Sequence, residues 1–160
     1  MTSTALPPAD FDFMIGDWRV HHRRLNSRLT GSTEWTEFAG LSSTAKILGG
    51  FGNVEDNLLR FPDGDVRAVA VRSFDASAGT WAIWWLDGRA PHNLDVPVVG
   101  GFTGSVGLFF AKDTLEGRPI SIRFTWNANP GGNPRWEQAF SADGGSTWEI
   151  NWTMDFTRAS

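Results

Sequence analysis

The C-terminal third of the chain alternates apolar and polar residues with a period of two. Over 147–157 the even positions are Trp148, Ile150, Trp152, Met154 and Phe156, and the odd ones are Thr147, Glu149, Asn151, Thr153, Asp155 and Thr157. Successive side chains of a strand point to opposite faces, so the pattern predicts a strand with one buried face. Trp136, Gln138 and Phe140 alternate with Arg135, Glu137 and Ser141 in the segment before it. One segment earlier, Ile120, Ile122, Phe124 and Trp126 alternate with Ser121, Arg123 and Thr125. Asp143-Gly144-Gly145 reads as a tight hairpin between the last two strands. Three consecutive strands with the same inside and outside predict a meander.

Further β-rich runs lie at 18–28, 33–38, 42–48, 54–61, 66–74, 81–86 and 105–112, separated by short turn signals such as Pro62-Asp63-Gly64-Asp65 and Glu116-Gly117. No segment carries a helical stripe of period 3.6. The expected fold class is therefore all-β, a closed antiparallel up-and-down β-barrel of about ten strands, since closure removes the sheet edges that so apolar a sequence would otherwise expose. Nothing of linker composition divides the chain, which reads as a single domain over 1–160 with a lead-in segment at 1–10. Within 81–86, Trp84 and Trp85 compete for the inner face.

Composition sharpens this picture in one respect. Nine Trp and twelve Phe stand against no Tyr, so the interior must be filled by large rings of which only some carry an N–H. A net charge of −4, with basic residues scattered among acidic ones, argues against a nucleic-acid partner. No apolar run approaches the roughly 18 residues of a membrane helix, and the first residues lack the basic and apolar regions of a signal peptide. The absence of Cys fits a reducing compartment. The expectation is a cytoplasmic protein without a membrane partner.

Gly16-Asp17-Trp18 is a Gly-x-Trp directly before the first strand, and Arg158 stands at the end of the last. The pairing resembles the calycin superfamily, which includes lipocalins and fatty-acid-binding proteins. That resemblance implies that Trp18 closes the barrel floor and that Arg158 packs over its ring, a cation–π contact of roughly 0.5–2 kcal/mol. Over 11–158 the chain also resembles a group of bacterial calycin-like proteins built on a domain of unknown function, through FDFMIGDW, WWLDGR, RWEQAFSADGG and TWEINW. This second resemblance implies a fold and no activity. The haem-ligating histidine motif of the neighbouring nitrobindin-like barrels has no match, and no cofactor or metal is expected.

Several polar residues fall on the expected inner face. If Trp18 points inward, so do Val20, His22 and Arg24. His22 is then a lumen candidate for acid–base work or for hydrogen bonding a ligand, against a plain reading as a histidine satisfied by its neighbours. Adjacent strand residues His21 and His22 face opposite sides and cannot chelate one metal. Gln138 lies between Trp136 and Phe140, where its amide needs a partner. A Trp N–H or Arg24 could satisfy it structurally, or it could recognise a ligand. After Trp84-Trp85 comes a polar loop in which Asp87, Arg89, His92 and Asp95 form either a charged rim, with His92 and Asp95 as an oriented imidazole, or a solvated Asp-Gly turn. Gly49-Gly50 and Gly100-Gly101 read as bends or bulges.

The expected function is binding of a small hydrophobic, aromatic ligand in a Trp-rich lumen. Its wall comprises Trp85, Trp126, Trp136, Phe140 and Trp152, with His22, Arg24 and Gln138 orienting the ligand. The alternative is a small barrel enzyme, an isomerase, cyclase or lyase acting on a hydrophobic metabolite, with His22, His92 or Asp95 as the catalytic candidates. The same rings could also fill the interior solid. An apolar surface at 96–99 leaves homodimer formation open.

Overall fold

The computed structural model describes residues 5–159, so residues 1–4 of the expected lead-in, and Ser160, lie outside the described residues. Ten strands follow one another: β1 Gly16–Leu25, β2 Trp35–Ile47, β3 Gly52–Phe61, β4 Gly64–Asp75, β5 Thr80–Asp87, β6 Val98–Thr103, β7 Val106–Leu115, β8 Arg118–Asn127, β9 Arg135–Ser141 and β10 Glu149–Arg158. Each pairs antiparallel with the next, and β1 pairs with β10 to close an up-and-down barrel. Among the described residues no helix is long and apolar enough to cross a membrane.

The strand count agrees with the sequence reading through two compensating differences. The runs at 33–38 and 42–48 are one strand, β2, which passes straight through Gly40. A Cβ at Gly40 would meet the His22 Nε2 and the Leu58 carbonyl oxygen, each at 2.8 Å, so this glycine makes room for a side chain and does not turn the chain. Conversely β6, with Gly100-Gly101 at its centre, is a strand where bends were expected. There a Cβ on Gly100 would collide with the Leu108 carbonyl of β7.

Alternation in β10 breaks where the sequence shows it as continuous. The register with β9 shifts between Ile150 and Trp152, leaving Asn151 as an inserted, fully buried residue. A bulge of this kind reverses the inside–outside parity of everything beyond it. Trp152, Met154 and Phe156 therefore face the interior, while Ile150 lies on the outer surface. Trp148, just before the strand, also sits outside, with the Arg123 guanidinium 4.6 Å from its ring. The tight hairpin expected at Asp143 is instead a loop over 142–148. The Asp143 carboxylate organises it, accepting hydrogen bonds from the Thr147 backbone N–H and hydroxyl and from Ser141 Oγ.

One end of the barrel is plugged from within. A turn of 3₁₀ helix, Asp12–Met14, precedes β1 and drives Phe11 and Met14 into the interior. The Phe11 ring meets Trp81 at 5.0 Å, Phe102 at 4.9 Å and Trp126 at 6.0 Å, all edge-on, which is a favoured aromatic geometry. Beside this plug the barrel seam closes: Trp18 and Arg158 are cross-strand partners, and the guanidinium carbon lies 3.8 Å from the indole centroid. Arg158 Nη1 also donates to the Ile15 carbonyl at 2.6 Å. Gly16 has φ of +121°, and a Cβ there would strike Arg158 Nη1, so the glycine of Gly-x-Trp is required by the clasp itself.

Candidate functional site

At the end opposite the plug, where β1, β3, β5, β7 and β9 finish, lies a cavity of about 320 Å³. Its wall is aromatic: Trp85, Phe124, Trp136, Phe140 and Trp152 line it together with Ile122 and Met154. The rings brace one another edge-on. Trp152 stands 5.6 Å from Trp136 and 6.1 Å from Trp85, and Trp136 stands 5.0 Å from Phe124. Large flat side chains from β5, β8, β9 and β10 thus form a belt whose inner faces remain available. On β5, strict alternation after Trp81 and Ile83 brings Trp85 to this belt and turns Trp84 outward.

Two residues expected at the ligand site, His22 as an orienting group and Trp126 in the wall, do not line the cavity. His22 is buried one layer back, stacked on Phe38 at 4.6 Å with an interplanar angle of 8°. Its Nδ1 accepts the Trp152 indole N–H at 3.1 Å, so the neutral ring carries its proton on Nε2. Burial, with the nearby His21, lowers its pKa to about 3, and the imidazole is uncharged at neutral pH. His22 touches the cavity only through the ring it holds. Trp126 lies deeper, packed with Phe156 and Phe11 in the floor. The sequence could place both on the inner face, but not at which height along the barrel.

The polar groups of the cavity sit on its rim and one flank. Arg24 stacks its guanidinium 5.2 Å from the Trp152 ring and has no hydrogen-bond or ion-pair partner among the described residues. Burial, aided by Arg28 and Arg89 and opposed by Asp87, lowers its pKa to about 10, which leaves it cationic at neutral pH. Gln138 donates from Nε2 to Asn151 Oδ1 at 2.8 Å. Its structural partner is therefore the bulge residue of β10 and neither a Trp N–H nor Arg24. The loop after β5 resolves into an Asp87–Arg89 pair, with the Arg89 Nη2 to Asp87 Oδ2 contact at 2.7 Å. That hydrogen bonding holds the Asp87 carboxyl below its ordinary value. His92 is exposed, and no hydrogen bond or ion pair joins it to Asp95, whose backbone N–H donates to the Trp85 carbonyl at 3.1 Å. The oriented imidazole expected from their spacing is not formed. Asp95 itself reaches the cavity edge, where partial burial and then the Asp113 and Asp87 carboxylates raise its pKa.

No family model and no curated protein matches the chain.

Beneath the belt is a polar layer that sequence reasoning missed. Arg72 on β4 and Glu55 on β3 are both almost wholly buried and form an ion pair through Arg72 Nη2. Arg72 Nη1 donates to Asn53 Oδ1 at 2.8 Å, and Ser42 Oγ donates to Glu55 Oε2 at 2.6 Å. The guanidinium lies 5.0 Å from both the Phe11 and Trp126 rings. The signal was present but inverted: in β3 the inner positions are Asn53, Glu55 and Asn57, while Val54 and Leu58 take the other face.

Proposed function

We propose that this protein is a calycin-like barrel that binds a small hydrophobic, aromatic molecule in the open end of its lumen. The observation that carries the proposal is the aromatic belt around a cavity with two cations, of which Arg89 is paired with Asp87 while the half-buried Arg24 has no hydrogen-bond or ion-pair partner among the described residues. A volume of about 320 Å³ lies within the range of small-molecule sites, where an apolar wall with a few polar groups is the rule. The ligand's flat body stacks on Trp85, Trp136 and Trp152, and a polar or anionic group at its outer end meets Arg24. The Gln138 carbonyl offers a further acceptor on the flank. His22 contributes by fixing Trp152. The calycin kinship rests on the clasp of Trp18 and Arg158 at the seam of a ten-strand barrel, and a cytoplasmic location on the absence of Cys.

The test is native mass spectrometry of protein purified from its own host, followed by titration of the released compound against Trp fluorescence. A retained aromatic compound that quenches the Trp signal is the expected result. An empty protein whose fluorescence ignores a broad library of aromatic compounds would refute the proposal.

One observation favours an enzyme as the second reading. Asp95 is a carboxyl group with a raised pKa at the edge of an apolar cavity, an environment suited to a general acid or base. Asp95 would then replace the histidines in that role for an isomerase, cyclase or lyase. Asp95→Asn should abolish turnover of the identified compound while leaving its affinity intact if this reading is right; an unchanged turnover sinks it.

A further inference from the structure

Resting on the ligand-binding reading above, we propose that the lumen has a deep subsite beneath the aromatic belt, built to take one uncharged acceptor oxygen, such as a ketone, aldehyde or amide carbonyl, at the ligand's leading end.

A chamber of about 20 Å³ lies between the belt and the polar layer. Trp85, Phe124, Trp136 and Met154 wall both this chamber and the main cavity, so a single layer of side chains separates the two. Met154 belongs to that layer, and its unbranched thioether chain can shift more readily than a ring. The chamber has room for one oxygen-sized atom, since a single water needs about 10–15 Å³ by the same kind of measure.

Its far wall is made by Glu55, Arg72 and Trp126. Arg72 Nε and Trp126 Nε1 are both buried, and neither has a hydrogen-bond partner among the described residues. Both groups are donors only. Both residues wall the chamber, and buried donors are normally paired, so the two together call for an acceptor. Charge decides which kind. The guanidinium is already neutralised by Glu55, and its two terminal nitrogens are committed to Glu55 and Asn53. An entering carboxylate would meet the Glu55 carboxylate with no spare cation to offset the repulsion. A cationic end would find no free acceptor to match the donors, and an apolar end would leave both donors unpaired. A neutral carbonyl satisfies both.

The experiment compares acetonaphthone with ethylnaphthalene, which has the same rings and nearly the same shape without the oxygen. Both are titrated against the wild type and Trp126→Phe by Trp fluorescence. The indole N–H resonance of Trp126, assigned by its loss in the variant, is followed by ¹⁵N-edited NMR in the wild type. Acetonaphthone should bind about tenfold tighter than ethylnaphthalene, Trp126→Phe should erase that ratio, and only acetonaphthone should move the Trp126 resonance downfield. Naphthoate, whatever affinity it gains through Arg24, should leave the resonance in place. Equal affinities in the wild type, a static Trp126 resonance with acetonaphthone, or a shift with naphthoate each overturn the subsite while the ligand-binding reading stands. Failure of every naphthyl probe to bind removes both. If Trp126→Phe does not fold, the Trp126 indole resonance is assigned by triple-resonance experiments on the wild type, and it decides together with the acetonaphthone-to-ethylnaphthalene affinity ratio.

Discussion

The indole N–H of Trp152 is bonded to Nδ1 of His22 at 3.1 Å, across the β1–β10 seam and 130 positions apart in the sequence. A ring that lines the cavity is thereby held by a histidine that does not. Because the histidine must accept this bond, it must be neutral.

That requirement has a pH consequence with a definite sign. The folded-state pKa of His22, about 3, lies below the ordinary histidine value of 6.5. Below about pH 6.5 the unfolded chain takes up a proton that the folded one refuses, so His22 costs stability as the pH falls from 6.5 toward 3. Between pH 6.5 and 4.5 this amounts to about 2 kcal/mol. Urea unfolding of wild type and His22→Leu at the two pH values measures it. The variant should lose distinctly less stability than the wild type over this interval, the carboxylate contributions being common to both.

Arg158 secures the seam at the plugged end, far from the cavity. Arg158→Ala removes a cation from the Trp18 face and a donor from the Ile15 carbonyl. The expected loss is about 1–2 kcal/mol of stability, read as a lowered urea midpoint, with ligand affinity unchanged. Gly16→Ala should produce a loss at least as large, since it strains φ and displaces the same guanidinium.

The Glu55–Arg72 pair is almost fully buried, so removing one partner strands the other charge. Arg72→Met or Glu55→Leu alone should destabilise the barrel by about 3–5 kcal/mol. The double variant should lose clearly less than the sum of the two. A double-mutant cycle by chemical denaturation gives the coupling; additive losses would contradict a paired role.

Arg24 predicts a different behaviour, in binding and not in stability. With no hydrogen-bond or ion-pair partner to abandon and only its packing on Trp152 to replace, Arg24→Met should change the unfolding free energy by less than about 1 kcal/mol. It should weaken a carboxylate-bearing aromatic ligand about tenfold, on the basis of one charge-assisted hydrogen bond, and leave a neutral one almost unaffected. Isothermal titration with naphthoate and ethylnaphthalene separates the two.

Much of the architecture was legible because alternation is a local property. Val20, Trp136, Met154 and Phe156 declared their faces through their immediate neighbours, and β8 and β9 were read at nearly their observed bounds. The errors lay where a distant group set the local geometry. The runs 33–38 and 42–48 were read as separate and Gly100 as a bend, because His22 and the Leu108 carbonyl, which occupy the space of the missing side chains of Gly40 and Gly100, belong to neighbouring strands. Ile150 was assigned inward because the bulge at Asn151 exists only in the pairing of β10 with β9.

For the candidate site the division is similar. Trp136, Gln138, Phe140 and Trp152 were placed on the inner face by period two alone, Arg24 followed from the parity of Trp18, and the competition between Trp84 and Trp85 was decided for Trp85 only by the register of β5. Height along the barrel was not readable, so His22 and Trp126 were counted with the ligand site although one supports its wall and the other lies beneath it. The sequence by itself determined an all-β chain of alternating strands with a ring-filled interior. Tertiary structure decided which end Phe11 plugs, which rings face the cavity, and that Glu55 and Arg72 meet inside. Alternation fixes only the side on which a side chain leaves its own strand. Closing the sheet into a ring sets the stagger of every strand against its neighbours, and that stagger determines which inward side chains share a layer.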